Sequence, residues 1–332
     1  MSTTNQPISA SFKEMVYDQF DLLMGQRGTK LLRYLPNQSI TLGEVGRVRQ
    51  VKLSDAYYKD EFGGKSQFAN ATYGNRLLFP RAFRCNLNFD QDISYKQGTS
   101  DAEVLAMEAV AKCSNKIDEI IIKGVSGPNR TDTGNVELDA SNTIRWYDNG
   151  GNKGGEFLGN PGDYDPIAIE SYRGLNVSKI TKASELLDTN DSYGMKICIC
   201  SDYDYRTLKQ DPRAASMLTN YAGPVLSTGQ MMPFAGIQDF VTVKGLPTGL
   251  SDKRVQGQPD NPANHTVSYA YVVDISRLMI GYHYQVYMEW GKLGEIDNSD
   301  ALYVKGSYDC TRLEEKAVIR IEVQRDLTVA HA

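Results

Sequence analysis

The sequence predicts a mixed α+β fold, and three observations carry that reading. Leu77, Phe79, Phe83, Cys85, Leu87 and Phe89 share one face at the two-residue period of a strand, broken only by Arg81. Residues 101–123 place Met107, Val110, Cys113, Ile117 and Ile120 in one helical stripe. The chain of 332 residues is long enough for roughly two domains, each with its own core.

Residues 1–10 read as a loose arm. Ser11-Phe-Lys-Glu14 is a capping box: the serine hydroxyl satisfies a free N–H while the glutamate reaches back. Phe12, Val16, Phe20 and Leu23 follow at helical spacing, and Gly25 is expected to end this helix. Residues 45–53 and 77–89 predict the two strands of a long arm, with 54–76 as its tip. That tip holds Gly63-Gly64 and Gly74-Asn75, and it carries Tyr57, Tyr58, Lys59, Asp60, Glu61, Phe62, Lys65, Phe68 and Tyr73. A lone hairpin cannot bury a face, so the arm must lie on its own domain or on another subunit. Aromatics interleaved with charges suit an apolar contact ringed by a polar rim.

Ser100-Asp-Ala-Glu103 is a second capping box, opening the helix of 101–123, which is roughly 35 Å long; Gly124 is its expected stop. Residues 125–172 predict loops, because 148–165 holds six Gly in 18 residues. A second region starts near 173. Ser178 is expected to cap a helix of 179–187, residues 195–200 form a buried strand, and Ser201-Asp-Tyr-Asp204 opens a helix to about 210. Residues 235–243 predict a strand before the turn Gly245-Leu-Pro247, and 250–266 a loop. Residues 267–273 and 282–290 predict strands, the latter with Tyr282, Tyr284, Val286, Met288 and Trp290 on one face. Residues 317–323 close the chain, with Val318 and Arg320 opposite Ile319, Ile321 and Val323.

Composition narrows the function classes. With 41% hydrophobic and 23% charged residues the chain is globular, and its 20 tyrosines suit surfaces that become interfaces. Net charge is -5, whereas a dedicated nucleic-acid binder is usually basic. The charge is uneven: residues 1–100 hold 13 Lys+Arg against 9 Asp+Glu, which leaves 23 against 32 for the remainder. Arg27, Lys30, Arg33, Arg47 and Arg49 could touch phosphates, but read first as a solvated face. Five scattered cysteines, Cys85, Cys113, Cys198, Cys200 and Cys310, argue for free thiols. The opening MSTTNQPISASFKEM has no apolar core of a signal peptide, and no stretch approaches the ~18 apolar residues of a membrane span. Assembly in a cytoplasm, without a membrane, is expected.

No catalytic constellation is visible. Of the three histidines, His265 falls in the expected loop, His283 in a strand and His331 beside the last residue, none at metal-ligand spacing. There is no nucleophile elbow, phosphate loop or dinucleotide fingerprint; Gly63-Gly64-Lys65-Ser66 lacks the required spacing. Cys198 and Cys200 point to one side of a strand but have no second ligand pair, and read as buried small hydrophobes. Asp148, Asp163 and Asp165 lack the ordered pattern of a calcium loop. The expectation is a non-enzyme with no cofactor and no metal.

The order of elements resembles the Hong Kong 97-like capsid fold of tailed phages. A helix, a two-stranded arm, one long helix, a glycine-rich excursion, a compact α/β region and a return strand follow one another. Within it, Gln26-Arg-Gly-Thr-Lys-Leu31, Phe79-Pro-Arg-Ala-Phe83 with Asn88-Phe-Asp90, Ile117-Asp-Glu-Ile-Ile121 with Gly124, and Phe234-Ala-Gly-Ile-Gln-Asp-Phe240 with Gly245-Leu-Pro247 are similar to segments of one phage capsid protein family. The likeness spans roughly 11–325.

The resemblance implies an N-terminal arm and helix (1–44), an E-loop (45–92), a peripheral (P) domain with a spine helix (93–172 and 296–332) and an axial (A) domain (173–295). It implies a major capsid protein that forms pentamers and hexamers of an icosahedral shell around double-stranded DNA. The nine tip residues would be intersubunit contacts. A separate scaffolding protein is expected, because the long N-terminal extension of some relatives has no counterpart here. A portal protein and a decoration protein are further expected partners, and DNA would be bound non-specifically. The lysine–asparagine pair and glutamate that cross-link some shells are not found. An encapsulin-type compartment shell is the alternative within the fold, and a cytoplasmic enzyme the alternative outside it.

Overall fold

The computed structural model describes residues 10–39, 45–53, 71–88, 99–144, 174–210, 214, 233–251, 265–293 and 299–324. Four α-helices and fourteen strands lie among them. Helix α1 (Ala10–Arg27) begins one residue before the expected cap, so Ser11 sits in its first turn. It also runs through Gly25, whose Cβ position is open; an exposed glycine weakens a helix without ending it.

The run 77–89, expected as one strand, is two. β3 (Ala71–Leu78) pairs antiparallel with β2 (Gly46–Leu53), from Gly46↔Leu78 to Leu53↔Ala71. β4 (Arg81–Asn88) belongs to another sheet. Pro80 lies at the break: it has no N–H for a ladder and restricts Phe79 before it. The arm therefore exists, but its return strand is 71–78.

β4 pairs antiparallel with β13 (Ser299–Arg312), a long strand that the sequence reading missed. β13 pairs in turn with β12 (Leu278–Leu293), and β1 (Asn37–Ser39) adds parallel to β12. Two register shifts between Tyr282 and Tyr287 interrupt the expected alternation on β12. There Tyr284 meets Tyr287 edge-on instead of continuing the inward row, while Val286, Met288 and Trp290 still pack inward.

Across this sheet lies α2 (Thr99–Ser126), whose 28 residues span about 42 Å. Its buried stripe is Ala106, Val110, Cys113, Ile117 and Ile121, turned slightly from the expected one. Near its start it packs with Val16, Phe20 and Leu23 of α1 against Met288, Leu302 and Val304. Gly124 does not stop α2. A Cβ there would sit 2.5 Å from the Cys310 carbonyl oxygen, so this glycine lets helix and β13 touch. Gly124→Ala should therefore lower the melting temperature, by about 1–3 kcal/mol of overpacking, against the ~1 kcal/mol that alanine gains in helix propensity. A raised melting temperature would show that helix and strand can part freely.

The segment expected as loop after α2 contains β5 (Asn129–Thr131), β6 (Gly134–Val136) and the short β7 (Thr143–Ile144). The glycine-rich 148–165 lies outside the described residues, as does His331. Helix α3 (Val177–Thr189) is capped by Asn176, which accepts from the Lys179 N–H at 2.9 Å, and not by Ser178. β8 (Lys196–Cys200) leads to α4 (Asp202–Gln210). Ser201 is its cap as expected, accepting from the Asp204 N–H at 3.1 Å while its hydroxyl donates to the Asp204 carboxylate at 2.6 Å.

β9 (Asp239–Thr242) is half the expected strand, because 234–237 is a tight turn with Ala235 and Gly236 at positive φ. β10 (Thr248–Ser251) and β11 (His265–Asp274) pair across part of the expected loop, which puts His265 in a strand. β14 (Val318–Gln324) completes a six-stranded sheet ordered β7-β14-β11-β8-β9, with β10 on β11. Its faces divide by parity, as the sequence predicts for β14. Ile319, Ile321, Val323, Cys198 and Cys200 pack under α3, whereas Val318, Ile197, Ile199, Tyr271 and Val273 face the end of α2. The second cluster, joined by Leu31 and Leu35, unites the two main sheets into one core.

All five cysteines are free. Burial, then the neighbouring Cys85, pushes the Cys113 thiol up to about 12; burial also raises Cys310, and the contact with Cys198 together with burial raises Cys200. Since thiolate is the reactive form, alkylation of the native subunit at pH 8 should label half-buried Cys85 alone. All five should react after unfolding without reductant. Native labelling of Cys113 or Cys310, or fewer than five labels after unfolding, contradicts this.

Candidate intersubunit surface

The arm grows out of a small sheet ordered β2-β3-β5-β6. β2 and β3 match eight residues to eight, but only Arg76↔Thr131 and Leu77↔Arg130 tie β3 to β5. Beyond that root the hairpin has no third strand among the described residues. Of the nine predicted contact residues, Tyr73 lies on β3, in register with Val51. Tyr57, Tyr58, Lys59, Asp60, Glu61, Phe62, Lys65 and Phe68 lie outside the described residues.

The root is held by a buried ionic cluster that sequence reading missed. Arg312, at the end of β13, is 0% exposed. Its Nη1 donates to the carbonyls of Gly124 (3.0 Å), Val125 (2.8 Å) and Gly127 (2.7 Å). These are orphan acceptors at the C-terminus of α2, where the helix dipole favours a cation. Nε and Nη2 of Arg312 both donate to Glu315 Oε2, at 3.0 and 2.7 Å. Arg76 of β3 donates to the other oxygen, Oε1, at 2.9 Å and to the Leu313 carbonyl at 3.1 Å. Burial pulls the Arg312 guanidinium below its usual range, while Glu315 works to hold its charge. One carboxylate thus joins the arm, the spine helix and the central strand.

Two of the segments singled out in the sequence meet nearby. Asp118 of α2 accepts from the Leu31 N–H at 3.1 Å and the Lys30 N–H at 3.4 Å, fixing the chain after α1 against the spine. Burial raises its carboxyl pKa, and these two N–H groups offset part of the rise. Phe79, at the break between β3 and β4, donates its N–H to Asp309 at 2.7 Å.

Among the candidate phosphate contacts, Lys30 donates to the Thr242 carbonyl at 2.7 Å and Arg33 pairs with Asp239 at 3.6 Å. Arg47 and Arg49 are exposed on the arm. Among the described residues no three His, Cys, Asp or Glu side chains gather as a metal site, and no helix is long and apolar enough to cross a membrane. The order of helix, arm, spine and α/β region, with the spine lying on a sheet that runs into the second core, is the architecture of a shell subunit.

A family model described as phage capsid protein matches residues 8–325. The chain belongs to the phage capsid protein family. Solved capsids share its fold at low identity. The capsid structure of the cyanophage P-SCSP1u has a TM-score of 0.56 at 15% identity, covering 87% of this chain and 86% of that one. The cyanophage Pam1 capsid asymmetric unit has a TM-score of 0.56 at 9% identity, covering 98% and 96%. The acid-stable capsid of Helicobacter pylori bacteriophage KHP30 has a TM-score of 0.55 at 12% identity, covering 87% and 88%. No curated protein matches in sequence. The chain is a major capsid protein, a structural component of the virion and not an enzyme. Nothing in these matches favours a compartment shell or a cytoplasmic enzyme.

Proposed function

We propose that this capsid protein closes its shell through the arm, which clasps a neighbouring subunit with its tip residues Tyr57, Tyr58, Lys59, Asp60, Glu61, Phe62, Lys65, Phe68 and Tyr73. The observation behind this is the hairpin itself. Its eight-residue strands meet a third strand only at the root, and a two-stranded ribbon is marginal without a surface to lie on. Subunits so clasped form the pentamers and hexamers of an icosahedral shell, assembled in the host cytoplasm around a separate scaffolding protein, with a portal protein at one vertex and a possible decoration protein outside. Double-stranded DNA is held without sequence reading: net charge is -5, and two of the five candidate basic residues are engaged within the subunit.

The division into N-terminal arm, E-loop, P domain and A domain belongs to the same proposal. Sheet membership favours counting 81–88 and 278–293 with the P domain, since β4, β12 and β13 form one layer beneath α2. Sedimentation and electron microscopy of the full chain, beside a chain with the tip removed, test the proposal. Closed particles from both would refute the clasp.

A further inference from the structure

At the arm's root lies a cavity of about 330 Å³ between the second half of α2, the β3–β4 break and β13. Its wall includes the apolar Leu77, Phe79, Phe83 and Ile120. It is also lined by Arg81, Lys116, Lys123 and Arg130. Against these four cations stand Asp309 in the wall and Glu119, which pairs with Lys116 at 2.9 Å and Lys123 at 2.7 Å, an excess of two positive charges. Asn129 also lines it, at 4% exposure, and its side-chain amide nitrogen has no acceptor among the described residues. The cavity thus combines an apolar wall, a cationic surplus and an idle donor. A carboxylate beside an aromatic ring matches all three; a phosphodiester backbone leaves the apolar wall unused.

From these features we infer that the cavity receives an acidic, aromatic-flanked segment from a second copy of this chain, and that the segment is Tyr57-Tyr-Lys-Asp-Glu-Phe62. Asp60 and Glu61 supply the carboxylates and Phe62 the ring. A copy's own tip starts at the far end of β3, seven residues or roughly 24 Å from the root, and the strand directs it away. This inference rests on the reading of the arm as a clasp and names the surface it grips.

The test is a charge exchange in the full chain. The pocket variant is Arg81→Glu with Arg130→Glu, two exposed positions; the tip variant is Asp60→Arg with Glu61→Arg. Each alone should raise the threshold concentration for shell formation by about tenfold or more, and the combined variant should recover most of that loss. A pocket variant that assembles like the wild type overturns the inference. So does a loss that the exchange fails to recover, because the tip then grips elsewhere. If removing the tip abolishes shells while the pocket variant does not, the clasp stands and only this docking site falls. Should the pocket reversal fail to melt cooperatively, Arg130→Gln and Glu61→Gln in a double-mutant cycle take its place. Non-additive thresholds support the contact and additive ones overturn it.

Discussion

Replacing Glu315 by glutamine should destabilise the subunit more than removing either of its arginines. Its carboxylate separates the guanidinium of Arg312, which is fully buried, from that of Arg76, which is nearly so. Without it two like charges face each other away from water, and the Arg76 charge already acts to lower the Arg312 pKa. Breaking a buried ion pair in this way costs about 3–5 kcal/mol. The low end applies, since Glu315 keeps a little exposure. Arg312→Met should come next: it spares the Arg76–Glu315 pair but strips the carbonyls of Gly124, Val125 and Gly127 of their donor, at roughly 1–3 kcal/mol for each group left buried and unpaired, less whatever water recovers. Arg76→Met should be mildest, because Arg312 and Glu315 keep each other. Denaturant midpoints of the three variants check the order. Equal losses, or Arg76→Met as the worst, would show that the cluster is not built around Glu315.

That cluster marks where sequence reading stops. Arg76, Arg312 and Glu315 are ordinary charges in the chain, more than two hundred residues apart at the extremes, and no local spacing announces that one carboxylate will serve both arginines. The helices were legible because each buries a face at its own period. The cap of α4 was legible because Ser201 and Asp204 satisfy each other locally. The arm was half legible. Leu77 and Phe79 share parity with Phe83, Cys85 and Leu87, so two strands in different sheets read as one; Pro80 was the available signal against it. β13 was legible and missed. Leu302, Val304, Tyr308 and Cys310 alternate inward, with Gly306 interrupting the row and charged neighbours between. Gly124 was noticed, but as a stop; that a strand carbonyl lies against it follows only from tertiary packing. The predicted contact residues were read from their own chemistry, and the surface they meet had no sequence signature, since the cavity's walls come from four separate elements.

Removing residues 54–70 and joining Leu53 to Ala71 through Asn-Gly should give a soluble, cooperatively folded subunit that forms no closed shells. The new turn fits, because Leu53 and Ala71 are the outermost registered pair and a two-residue Asn-Gly loop suits such a hairpin. The subunit should hardly notice. None of the three apolar clusters takes a residue between 36 and 82 among those described, so the melting temperature should hold to within about 0.5 kcal/mol of stability. Assembly is a different matter. Burying ~500 Å² of apolar surface on a neighbour gains on the order of 12 kcal/mol at ~25 cal/mol per Å², before the ordering of the tip is subtracted. Each subunit that loses its clasp loses that contact, and a closed shell repeats the loss at every subunit. Sedimentation should therefore show free subunits or small oligomers under conditions where the full chain forms particles. Particles of normal size and heat stability from the shortened chain would mean that the arm is not the clasp, and that the capsid is held by the flanks of its subunits alone.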